Sequence, residues 1–164
     1  MNQNFEKIKK IVKLISDIIL KMSQGEIHQL INKGSIDISE KEYFEVIRYK
    51  TGVLIEGACR AGALLAKASE QEENAVSVYG NRLGIGFQLC DDMLDYTSDS
   101  DSLGKNVGAD LREGKLTLPV IYALKNANKE DRLSMEKIIC NKNFSVEQFE
   151  QFKKILIKCK GLEY

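Results

Sequence analysis

The sequence predicts an all-α fold, and three observations carry that prediction. Apolar residues recur at helical spacing over long segments, no segment alternates apolar and polar residues as a strand does, and the 164 residues hold one proline, Pro119. The length suits one domain with a hydrophobic core, so residues 1–164 read as a single all-helical domain.

The first helix is expected near residues 4–32. Ile8, Ile11, Val12, Ile15, Ile18, Ile19 and Met22 follow helical spacing with lysines between them, which makes an amphipathic helix with a core-facing stripe. Lys9, Lys10, Lys13 and Asp17 interrupt that run, so it is neither a membrane span nor a cleavable signal. Helices follow near 40–69 and 71–97, the first opened by Ser39 and Glu42 as a capping box. Gly52, Gly57 and Gly62 interrupt one of them and Gly80, Gly84 and Gly86 the other. An interior glycine costs about 1 kcal/mol relative to alanine, so several in consecutive helices suggest close helix–helix approach. The polar stretch Thr97 to Gly114 has no apolar period and reads as a loop. Thr117 and Pro119 open a helix near 117–127, and two more are expected near 131–140 and 145–160, the last capped by Ser145 with its acidic follower Glu147.

Composition narrows the function classes. Lys plus Arg and Asp plus Glu both number 24, and this balance gives no reason to expect a nucleic-acid partner or a membrane surface. The chain is 43% hydrophobic and 29% charged, as an ordinary soluble protein is. Cys59, Cys90, Cys140 and Cys159 form no CxxC pair, and His28 is the one histidine, so a zinc site lacks its ligand spacing. The cysteines read as reduced, mostly core residues of a cytoplasmic protein, and His28 as a partly buried structural residue. One histidine also leaves no Ser–His or Cys–His pair for nucleophilic catalysis.

The chemistry concentrates in Phe87-Gln88-Leu89-Cys90-Asp91-Asp92-Met93-Leu94-Asp95. On a helix, Asp91 and Asp95 lie one turn apart on one face with Asp92 beside them. Three like charges at that spacing repel. A solvated helix end offsets the cost, and a hard cation such as Mg2+, which prefers carboxylate oxygens, offsets it better. Lys105, Arg112 and Lys115 follow among flexible glycines, and Lys50-Thr51 could add a cation and a hydroxyl. Carboxylate-held Mg2+ beside such cations makes a diphosphate site; the bland alternative is a set of solvated charges. The run from Asp99 through Asp101 and Gly104 imitates an EF-hand front, but Leu103 stands at the fifth position and Asp110 at the twelfth.

Gly86 to Asp95, followed by Leu103-Gly104-Lys105-Asn106-Val107-Gly108-Ala109-Asp110-Leu111-Arg112-Glu113-Gly114-Lys115-Leu116-Thr117-Leu118-Pro119, resembles the second Asp-rich motif and adjoining loop of the trans-isoprenyl (polyprenyl) diphosphate synthases. Gly25-Glu26-Ile27-His28-Gln29-Leu30 and Tyr49-Lys50-Thr51 resemble family segments in the same order. The resemblance implies an isoprenoid synthase-type helical bundle around an apolar cavity, condensing an allylic diphosphate with isopentenyl diphosphate. It implies that Asp91, Asp92 and Asp95 hold Mg2+, and that Lys50, Thr51, Gln88, Lys105 and Lys115 bind substrate. Lys50 and Lys105 take the catalytic part, stabilising the departing diphosphate. The family uses two Asp-rich motifs, whereas this chain shows one. It is therefore expected to correspond to roughly the second half of such an enzyme, shortened at both ends and inactive alone. Its partner would be a separately encoded N-terminal half or a second copy. The competing reading is a non-catalytic helical subunit or a degenerate remnant of a split synthase gene.

Overall fold

The computed structural model describes residues 3–97, 108–141 and 143–164, with side chains from residue 5 onward. The described residues form helices and turns and no strand: α1 (Gln3–Asn32), α2 (Glu40–Ile47), a π-helical turn (Arg48–Gly52), α3 (Val53–Ala66), α4 (Glu70–Thr97), the single turn α5 (Ala109–Arg112), α6 (Leu118–Asn126), α7 (Lys129–Cys140) and α8 (Val146–Lys158). The all-α expectation holds.

Two expected boundaries and one capping partner change. The helix expected over 40–69 is three elements, because the π-helical turn widens it at Arg48–Gly52 and Lys67 ends it in the left-handed region at φ 59°. The expected loop Thr97 to Gly114 contains α5, and residues 98–107, with Lys105 and most of the EF-hand-like run, lie outside the described residues. At α8 the capping partner of Ser145 is Gln148, not Glu147: the Ser145 N–H donates to Gln148 Oε1 at 2.9 Å and the Gln148 N–H to Ser145 Oγ at 3.3 Å. The Ser39–Glu42 box forms as expected, with Ser39 N–H donating to Glu42 Oε2 at 2.8 Å. A box of the same kind, Ser69–Glu72, opens α4.

The chain divides into two compact units, Met1–His28 with Phe44–Gln88, and Gln29–Tyr43 with Leu89–Tyr164. In the first, glycines set the helix spacing. A Cβ on Gly80 would meet the Glu56 backbone at 2.9 Å, and one on Gly84 would meet Gly52 Cα at 2.7 Å. Gly57 receives the Ile18 side chain of α1 in the same way. Polar ties complete the α3–α4 seam. Glu56 accepts from Ser77 Oγ at 3.0 Å and from Asn81 Nδ2 at 2.9 Å, and Arg60 pairs with Glu73 at 3.0 Å. Gly62 and Gly86 face open space, so close approach explains some of the glycines and not these two.

The apolar stripe of α1 departs from expectation. Leu14 is buried and Ile11, Ile18 and Met22 are half-buried, but Ile8, Val12, Ile15 and Ile19 are exposed. The cause is the direction of approach: α3 meets α1 through Ile18 and Gly57, and the other side of the stripe stays uncovered among the described residues. The cysteines depart too. All four are free, but none is buried; Cys90 and Cys140 are exposed. His28 is half-buried, its ring 6.4 Å from that of Tyr49.

The second unit has the more closed core. Tyr96, Leu111, Val120, Ala123, Met135, Phe149, Phe152 and Leu156 are all but fully buried. Tyr96 stacks on Phe149 at 6.2 Å and Phe149 on Phe144 at 5.9 Å. Gly108 is needed where it stands: its φ is +72°, and the Phe149 ring occupies the space a Cβ would take. No helix of the described residues is long and apolar enough to cross a membrane.

Candidate active site

Helical register divides the acidic cluster at the end of α4. Asp92 and Tyr96 are one turn apart and both buried, whereas Asp91 is exposed and Asp95, one turn after it, half-buried. Tyr96 anchors this end of the helix by its stack on Phe149 and by accepting a hydrogen bond from Thr117 Oγ1 at 3.0 Å. Asp92, 6% exposed, anchors it by polarity: the Tyr43 hydroxyl of α2 donates to Asp92 Oδ2 at 2.6 Å. Burial, and then the charge of Asp92, pushes the Tyr43 phenol far above its usual range. It therefore stays a proton donor.

Asp95 organises the start of α5. Its Oδ1 accepts from the Ala109 N–H at 3.0 Å and its Oδ2 from the Asp110 N–H at 3.1 Å, so one carboxylate caps that turn. Burial raises its pKa above the ordinary carboxylate value, the charge of Asp110 adds to that, and the two N–H donors oppose it. Lys115 pairs with Glu113 at 2.7 Å and Asp110 at 3.5 Å. Partial burial works to lower its pKa, but these carboxylates outweigh it and the net shift is upward. Arg112 lies over the Phe144 ring at 4.0 Å, and its buried Nε meets no hydrogen-bond partner among the described residues.

In the first unit, the π-helical turn carries Lys50 and Thr51. Thr51 Oγ1 donates to Gln88 Oε1 at 2.7 Å, and Lys50 Nζ lies 4.0 Å from Glu26 Oε2. Wide turns of this kind recur at functional sites, because the extra residue redirects the side chains around it. The structure thus brings together Thr51 with Gln88, and Asp95 with the segment leading to Lys115. Lys105 lies outside the described residues. Among the described residues no three His, Cys, Asp or Glu side chains gather tightly enough to form a ready-made metal cage. Tyr43 escapes a reading by spacing, because it meets Asp92 from 49 positions away. Tyr96 and Thr117 escape it for the same reason, at a separation of 21.

The fold is that of an isoprenoid-synthase type of protein. The sequence pattern of the polyprenyl synthetase family matches residues 1–156, and the chain belongs to that family. It is 37% identical over 155 residues to the octaprenyl diphosphate synthase of Haemophilus influenzae, covering 94% of this chain and 47% of that one. It is 34% identical over 151 residues to heptaprenyl diphosphate synthase component 2 of Bacillus subtilis, covering 92% and 42%. The crystal structure of a polyprenyl synthase from Caulobacter crescentus, complexed with calcium and isoprenyl diphosphate, superimposes with a TM-score of 0.86 at 32% identity, covering 94% of this chain and 47% of that one. The chain spans about half the length of the curated relatives it matches.

Proposed function

We propose that the chain carries half of a prenyl-transfer site, binding an allylic diphosphate through Mg2+ for condensation with isopentenyl diphosphate. The observation that carries this reading is the exposed and half-buried pair Asp91 and Asp95 at the end of α4, in a member of the polyprenyl synthetase family. The calcium and isoprenyl diphosphate in the Caulobacter relative support it.

The donor set fits a hard divalent cation, since every candidate ligand is a carboxylate oxygen. Asp91, Asp92 and Asp95 would hold it, and when bound it neutralises diphosphate charge. The chain's own residues do the rest. Lys50 and Lys105 stabilise the negative charge that grows on the leaving group as the allylic C–O bond ionises. Thr51 and Gln88, already joined at 2.7 Å, present a hydroxyl and an amide to the diphosphate oxygens. Lys115 adds positive charge, held by Asp110 and Glu113. Apolar surface shields the carbocation from water until the double bond of isopentenyl diphosphate attacks it and the new cation loses a proton, with the allylic diphosphate as the leaving group.

A second Asp-rich motif, on residues outside these 164 or on a second copy of this chain, completes the site. Ile8, Val12, Ile15 and Ile19 follow one face of α1 and Tyr79, Leu83 and Phe87 one face of α4, all of them exposed, and exposed apolar faces of this kind mark protein interfaces. The test is turnover of labelled isopentenyl diphosphate with several allylic diphosphates and Mg2+, with and without a polypeptide supplying a second Asp-rich motif. Activity is expected with the added polypeptide and lost on Asp91→Ala. Full turnover by this chain alone, or none under any combination, contradicts the proposal.

A further inference from the structure

The proposed chemistry gives Tyr43 no part, yet this residue reaches the acidic cluster from a distant stretch of the chain. It lies on α2, is 4% exposed, and donates to Asp92, 6% exposed, across 2.6 Å. A hydrogen bond of that length to a carboxylate is among the strong ones, and a buried carboxylate deprived of its donor is costly. The bond also has a directional consequence. Asp92 sits between Asp91 and Asp95 on the helical spiral, so fixing its carboxylate against α2 fixes the roll of the last turns of α4. The roll in turn sets which way Asp91 and Asp95 point. Tyr96 fixes the same end of the helix through its stack on Phe149 and the hydrogen bond it accepts from Thr117, and the Tyr43 bond adds a tie made directly to a carboxylate of the acidic turn.

We propose that Tyr43 is a positioning residue of the metal–diphosphate site, acting through Asp92 to orient the acidic turn of α4. This rests on the proposed function, because it presupposes that the turn holds a divalent cation. Groups that orient metal-ligating carboxylates in this way typically change metal affinity by about 10–100-fold when removed.

The test uses the full chain and Mn2+ alone, with binding followed by electron paramagnetic resonance. Tyr43→Phe, Asp92→Asn and the double variant are compared with the unsubstituted chain, each first checked for cooperative urea unfolding. Tyr43→Phe is expected to weaken Mn2+ binding about 10-fold. The double variant is expected to bind no more weakly than Asp92→Asn, because Tyr43 works only through Asp92. A residue that merely stabilised the fold would lower the urea midpoint and leave Mn2+ affinity alone. A second readout needs no substitution at Tyr43: saturating metal should perturb the near-ultraviolet tyrosine absorbance of the unsubstituted chain and not that of Asp92→Asn. Unchanged affinity in Tyr43→Phe, losses that multiply in the double variant, or an unperturbed tyrosine spectrum would each overturn the inference while leaving the metal site standing. Failure of the unsubstituted chain to bind Mn2+ overturns the proposed function itself.

Discussion

Gly84 lies directly against Gly52: a Cβ built on Gly84 would fall 2.7 Å from Gly52 Cα. This close approach explains why Thr51 and Gln88 meet. Thr51 precedes Gly52, Gln88 is one turn beyond Gly84, and with no side chain at either glycine the hydroxyl reaches the amide at 2.7 Å. A packing feature thus fixes a polar pair that the proposed chemistry uses.

Adding a methyl group at that contact should separate the two backbones. Gly84→Ala is expected to destabilise the fold by about 1–3 kcal/mol, as overpacking does. Gly86 lies two residues on in the same helix and faces open space, so Gly86→Ala should stabilise by up to about 1 kcal/mol. Urea denaturation of both variants checks the contrast, and equal effects would show that the close approach is not the cause.

Most of the fold was legible in the sequence because its signals are local. Apolar period, Ser39 with Glu42, and Thr117 with Pro119 each act within a turn or two, and the structure keeps all of them. What was not legible depends on distant partners. The π-helical turn has no composition of its own; it appears where the backbone around Gly52 must fit against Gly84. The turn α5 is too short to show a period and forms where Asp95 caps it. The acidic motif announced the candidate site, and register divides its aspartates between two faces, but which face is covered depends on distant partners such as Tyr43, which meets Asp92 from another helix. The uncovered side of the α1 stripe was not legible either, because periodicity shows that a face is apolar and not what covers it.

Lys115 gives a pH signature. Its pKa lies above the usual lysine value of 10.5, since Glu113 and Asp110 together outweigh the lowering by burial. The protonated form is therefore favoured by folding, and the stabilisation is full below the unfolded value and is lost as pH rises through the folded one. The stability difference between the chain and Lys115→Gln should be flat from neutral pH to about 10 and shrink above it. A difference that grows over that alkaline range would reverse the sign of the argument.

The exposed stripe of α1 should govern association and not folding. Ile15 and Ile19 are 49% and 60% exposed, so replacing both with Lys is expected to leave the urea midpoint within about 0.5 kcal/mol per site. Sedimentation velocity should then show less self-association or weaker capture of a complementary polypeptide. Unaltered association, with folding intact, would remove this face from the interface.

Diphosphate binding through a divalent cation at the acidic end of α4 underlies the whole of the proposed function. The decisive experiment is isothermal titration of an allylic diphosphate into the purified chain, with and without Mg2+ and repeated with Asp91→Asn. Binding that requires Mg2+ and weakens at least about 10-fold in Asp91→Asn is the expected result. Binding that is indifferent to Mg2+, or that survives unchanged in Asp91→Asn, would show that the acidic turn does not hold the diphosphate.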